Sequence, residues 1–158
     1  MRSIYKLVVC SLLTLSITSC EKDLLDKEQY QKEIYLIGAY NRVWTTEVSY
    51  SNEEVKTYFT VSSSGTLALD RDVNVKMKIN EELVDIYNKK YWTVLNEDKY
   101  YKSLDTDLYS IPSLENTVIK HAEGISAEVP VLIKTASLKI DQSYVIPVEI
   151  ESTTGYPI

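Results

Sequence analysis

Residues 73–80, VNVKMKIN, alternate between apolar and polar side chains without a break. Val73, Val75, Met77 and Ile79 fall on one side of an extended chain, and Asn74, Lys76, Lys78 and Asn80 fall on the other. Such a segment is predicted to be a strand with one face on a core and the other in water, the habit of antiparallel sheets. Three segments repeat the pattern. VKTYFTVS (55–62) puts Val55, Thr57, Phe59 and Val61 together, EVPVLIK (128–134) does so with Val129, Val131 and Ile133, and YVIPVEIE (144–151) with Tyr144, Ile146, Val148 and Ile150. Weaker strand patterns cover 33–39, 107–112 and 117–121. About seven short strands separated by turns predict an all-β, antiparallel two-sheet sandwich. Pro130 and Pro147 lack the N–H of a ladder, so each belongs on an edge strand or at a bulge.

One segment has a different period. NEELVDIYNKKY (80–91) sets Leu83, Ile86, Tyr87 and Lys90 at helical spacing. Asn80 suits an N-cap, Glu81 and Glu82 suit the first turn, and Lys89 and Lys90 suit the last. A short helix across one end of the sandwich is expected, followed by a long loop over 92–107 with at most one turn.

The N-terminus carries a different signal. Arg2 and Lys6 precede an apolar run, 7–17, that is too short to span a bilayer and has the form of an export leader. Ile17-Thr18-Ser19-Cys20 resembles the bacterial lipobox, in which the cysteine is acylated and the leader is cut before it. The alternative is an ordinary leader that happens to hold a cysteine. Cys10 lies inside the apolar run, so a chain cut before Cys20 keeps no other cysteine, and disulfide, zinc and thiol-nucleophile readings lose their residues. Residues 20–32, beginning CEKDLLDKEQYQK, are charged and lack an apolar period, and read as a lipidated tether. Glu21 and Asp23 just after the cysteine resemble the tag that sends Bacteroidetes lipoproteins to the cell surface. The organisation expected is a leader at 1–19, a tether at 20–32 and a domain at 33–158. The expected location is the outer membrane, lipid-anchored and surface-exposed.

Setting Arg2 and Lys6 aside, 15 of the 17 basic residues face 23 acidic ones, a net charge of −8. Such a surface repels polyanions, and no basic stripe is present, so nucleic acid is not an expected partner. Tyrosine is abundant, 13 residues against a single phenylalanine, which suits half-buried strands and wet aromatic surfaces.

Candidate sites follow from these residues. Catalysis by paired carboxylates needs a set separation across a cleft; the acids here fall on outer faces and loops, and no catalytic residue is assigned. Asp70, Asp72, Asn74 and Glu81 match an EF-hand count in part, but Val75 stands where that loop needs glycine. A turn leading into a strand fits better, and no metal is assigned. His121, the one histidine, has no second ligand of its kind, and no cofactor is expected. The remaining candidates are aromatic. Tyr87, Tyr91, Trp92, Tyr100 and Tyr101, in and after the helix, with Trp44 from a second group at 40–50, could stack on the flat C–H faces of sugars. For most of these rings the favoured reading is that they close the ends of the core, since a small sandwich needs large residues there.

Taken together, IYLIGAY, VNVKMKINEELVDIYNKKY, YYKSL with DLYSIP, and LKIDQSYVIPVEIESTTGY resemble the N-terminal domain of unknown function in surface lipoproteins of Bacteroidetes polysaccharide-utilisation systems. The resemblance implies an immunoglobulin-like β-sandwich over 33–156, often placed before a chitinase-like glycosidase or a carbohydrate-binding module. It carries no catalytic motif. The function expected is non-catalytic, as a spacer or weak carbohydrate-binding module in glycan capture or processing. Its partners would be the membrane through the lipid, polysaccharide, or other surface glycan-utilisation proteins. The alternative is a protein–protein adhesion or assembly module without sugar binding. The chain stops where that domain stops, as either a single-domain relative or a fragment would.

Overall fold

The alternating segments become strands in the computed structural model, which describes residues 26–39, 43–51, 53–139 and 142–158. Its strands are β1 (Ile34–Leu36), β2 (Glu54–Ser63), β3 (Val73–Ile79), β4 (Lys102–Ser103), β5 (Tyr109–Ser110), β6 (Thr117–Ile119), β7 (Ser126–Lys134), β8 (Tyr144–Val145) and β9 (Val148–Thr153). One α-helix, α1 (Glu82–Tyr91), stands among the described residues. One sheet has the order β1-β2-β7-β5 and a second β6-β3-β9, with every pairing antiparallel. β4 and β8 add a two-residue parallel pair.

The register explains why these sheets face each other. Val55, Thr57, Phe59 and Val61 on β2 lie opposite Ile133, Val131, Val129 and Ala127 on β7, so both strands turn one apolar row the same way. On β3, Val73, Val75 and Met77 are buried, and the residues between them are exposed. Ile34, Val61 and Val129 from the first sheet meet Val73, Val75, Met77 and Ile119 from the second in one cluster. Each fully buried side chain of this kind contributes about 1.5–3 kcal/mol. Leu104, Val131 and Ile133 form a second cluster beside the β4–β8 pair, and Phe59 and Ile111 touch both. The described residues therefore form an all-β, immunoglobulin-like sandwich with one short helix, as expected.

Several details depart from the sequence reading. Segment 144–151 is two strands. Tyr144 and Ile146 pack on the second cluster, Val148 and Ile150 on the first, and buried Pro147 sits in the break. The alternation was right about the faces, but a residue without an N–H lets the chain leave one ladder for another. Pro130 lies in β7 opposite Tyr58, with β5 pairing on the other flank at Leu132 and Ile133. That flank is unpaired at Pro130 itself, which makes it an edge locally. Ile79, expected in the buried row, is half-buried, because the row meets solvent at the end of β3. Residues 92–107 hold more order than a loop: a 3₁₀ segment (Val94–Lys99), β4, and the start of a second 3₁₀ turn (Thr106–Leu108).

α1 begins where Asn80 Oδ1 accepts from the Glu82 N–H at 3.1 Å, so Asn80 does cap the end, one residue ahead of the formal cap. The face it buries is Val84 and Asn88, with Tyr87 half-buried; Leu83 and Ile86 are exposed. The helical period was right and the face was off by one residue. A polar side chain, Asn88, decides the orientation.

The described end of the charged segment is fastened to the sandwich. Glu28 accepts from the Thr66 and Leu67 N–H groups and pairs with Lys32, which also donates to the Leu67 carbonyl. These contacts hold the Glu28 carboxyl at about 2, the Lys32 hydrogen bond first among the causes. Cys20 and residues 1–19, expected to be a leader, lie outside the described residues, as do Tyr40, Asn41 and Arg42.

Candidate functional site

Between β3 and β5 the chain leaves the sandwich as α1, the 3₁₀ segment and β4. Asn88 closes this excursion. Its carboxamide, 4% exposed, donates to the Tyr101 carbonyl and accepts from the Tyr101 N–H, each at 2.9 Å. Residues 13 apart are thereby fixed by both halves of one side chain. The rings follow from that closure. Tyr87 meets Tyr91 at 4.5 Å between centroids and Tyr101 at 5.5 Å in an edge-on contact. Burial, then the neighbouring Tyr101 and Tyr91, push the Tyr87 hydroxyl pKa up. Trp92 is half-buried, and its Nε1 is buried with no acceptor among the described residues. Tyr91 is 49% exposed. Lys90 Nζ lies 5.6 Å from the Tyr91 ring and Lys99 Nζ 5.6 Å from the Trp92 ring.

Two open clefts flank the helix. The larger, about 660 Å³, is lined by Glu81, Glu82, Val84, Asp85, Asn88, Glu97, Tyr100, Tyr101, Lys102 and Ser103. The smaller, about 350 Å³, is lined by Lys89, Lys90, Tyr91, Trp92, Thr93, Val94 and Tyr100. Tyr100 stands in both walls. One side offers rings and ammonium groups, the other carboxylates, amide and hydroxyl.

The structure thus brings Tyr87, Tyr91, Trp92, Tyr100 and Tyr101 together. Trp44 lines neither cleft; it is 60% exposed and lies over Gly38, where the ring leaves no room for a Cβ and φ is +86°. Sequence reasoning missed Lys99, which meets Trp92 only because the 3₁₀ turn folds back. It also read Lys89 and Lys90 merely as dipole partners. Asn88 was legible as a polar residue among the rings, but its two-sided bond to Tyr101 was not.

Other polar groups are spoken for. Asp70 holds the Arg71 guanidinium through two contacts of 2.9 Å and accepts from the Tyr156 hydroxyl. Asp72 Oδ1 accepts from the His121 N–H at 3.0 Å and lies 2.6 Å from its Nδ1. Both carboxyls are held below their ordinary range, by Arg71 and by His121 first in each case. The window matched in part to an EF-hand is therefore a turn tied to its neighbours, and among the described residues no group of three His, Cys, Asp or Glu could hold a metal. Among the described residues, the carboxyls displaced from their usual values, Glu28, Asp70, Asp72 and Glu151, are displaced downward.

Fold and site together define an immunoglobulin-like sandwich module with an aromatic excursion at one end. A family model described as a "-like, N-terminal domain" matches residues 30–157, and the chain belongs to that family of N-terminal domains. Among solved structures it is similar to a structural-genomics protein of unknown function from Bacteroides ovatus, with a TM-score of 0.63 and 14% identity over 82% of this chain and 42% of that one. It is also similar to a multidomain protein including DUF1735 from the same organism, with a TM-score of 0.54 and 17% identity over 65% of this chain and 33% of that one. The chain therefore spans less than half the length of either. No curated protein matches it.

Proposed function

We propose that this domain is a non-catalytic saccharide-binding module, held at the outer-membrane surface through an acylated Cys20 in the service of glycan capture or processing. The observation that carries the reading is the junction at Tyr100, where a cleft walled by Tyr91 and Trp92 meets one walled by carboxylates and amide. Sugars have a flat C–H face and a rim of hydroxyls, and this pair of walls offers a surface for each. Membership in a family of N-terminal domains, and likeness to longer Bacteroides chains, support a module that serves larger machinery. Affinity electrophoresis against polysaccharides, with a thermal melt of the same samples, tests the reading. Tyr91→Ala should lose retardation and keep its melting temperature. A wild-type protein retarded by no polysaccharide would refute it. The anchoring claim has its own test: Cys20→Ala should leave the protein unprocessed or released from the membrane fraction, and normal processing with membrane retention would refute it.

A second reading has one observation in its favour. Ile86, Val94 and Leu95 are 56%, 76% and 92% exposed on the same excursion, an apolar rim suited to protein contact. In that reading the module docks a neighbouring surface protein and binds no sugar.

A further inference from the structure

The smaller cleft carries an uneven share of positive charge. The chain has a formal net charge of −6, yet Lys89 and Lys90 line this cleft, and Lys99 reaches over its Trp92 ring from a separate element. Lys76, Lys78 and Lys120 all have carboxylates within 4 Å, whereas none of these three does among the described residues. The helix dipole accounts for Lys89 and Lys90 in the last turn of α1. It does not account for Lys99, which arrives at the end of the 3₁₀ segment. Lys89 and Lys90 in the cleft wall and Lys99 over the Trp92 ring bring positive charge to this end of the excursion, where an anion would be attracted. Lys90 and Lys99 stand 5.6 Å from their rings, near the outer limit of a cation–π contact, so both can turn to a stronger partner without large loss.

We propose that the smaller cleft takes an anionic saccharide: the sugar's C–H face lies on Tyr91 and Trp92, and its carboxylate or sulfate is held by Lys89, Lys90 and Lys99. This rests on the saccharide reading of the same excursion and adds the class of sugar. The neighbouring cleft is acidic, with Glu81, Glu82, Asp85 and Glu97 in its wall. It repels a continuous polyanion and favours an isolated charge on a sugar backbone, so nucleic acid is the wrong occupant.

The test is affinity electrophoresis of the full chain in polygalacturonate, chondroitin sulfate, neutral dextran, polyglutamate and poly(dT). Either anionic glycan should retard the protein, more weakly as salt is added, and the stronger of the two identifies carboxylate or sulfate as the group held. K89Q/K90Q/K99Q should weaken that binding about tenfold, the sum expected of three exposed charge contacts. K99Q alone, outside the helix, should weaken it in part and guards against a misfolded triple variant. Equal retardation in dextran, insensitive to salt and to the lysine changes, overturns the anionic class and leaves the saccharide reading standing. Equal retardation by polyglutamate or poly(dT), or none by any probe, overturns both.

Discussion

Replacing Asn88 with alanine removes a side chain that is 4% exposed and satisfies both the N–H and the carbonyl of Tyr101 at 2.9 Å. A backbone group left buried without a partner costs about 1–3 kcal/mol. Tyr101 is half-buried, so water reaches part of what is lost. A loss of about 2–4 kcal/mol follows, and it should be local. α1 buries Val84 and Asn88, while the main core cluster draws on the sheets and on Leu69. The expected result of Asn88→Ala is faster amide exchange across α1 and the 3₁₀ segment, with exchange in β3 and β7 little changed. Asn88→Asp keeps an acceptor for the Tyr101 N–H but sets a buried carboxylate oxygen against its carbonyl, and should loosen the excursion at least as much as alanine at neutral pH. Hydrogen exchange followed by mass spectrometry resolves the segments. Unchanged exchange in α1, or equal acceleration in the sheets, would show that the carboxamide does not close the excursion.

In the core, Met77→Ala should destabilise by about 2–5 kcal/mol and Lys78→Ala by less than about 0.5 kcal/mol, with half-buried Ile79→Ala between them, as read by urea unfolding. Equal effects at Met77 and Lys78 would refute the register of β3. Glu28 has a folded pKa of about 2, below its unfolded value, so its contribution is present at neutral pH and is lost as pH falls from about 4.5 toward 2. Melting curves from pH 7 to pH 3 should therefore show a smaller acid-induced drop for Glu28→Gln than for wild type, and an identical drop would refute the docking of that carboxylate.

Much of the sandwich was legible because period-2 alternation ties each side chain to a face, and Val73, Val75 and Met77, with Val129, Val131 and Ile133, are buried in that order. What was not legible depended on contacts far apart in sequence. Alternation continues through Pro147, so nothing in the pattern shows that 144–151 serves two sheets. The helix face was misplaced because apolar periodicity favours Leu83 and Ile86, whereas the burial is set by one polar residue, Asn88, whose partner is 13 residues on. The ring group at 87–101 was readable as a cluster of residue types. Its division into a cationic and an acidic cleft was not, because Lys99 joins Trp92 only through the fold of the 3₁₀ segment.

The most direct test of the proposed saccharide platform uses the fact that the chain has two tryptophans. Trp92 lines the smaller cleft and Trp44 lines neither, so the two indole N–H resonances report the site and a control within one sample. Titration with neutral and uronate oligosaccharides through the millimolar range, followed by nitrogen–proton correlation spectra, should move the Trp92 indole signal saturably and leave that of Trp44 in place. A Trp92 signal that stays fixed across the whole panel would contradict the account.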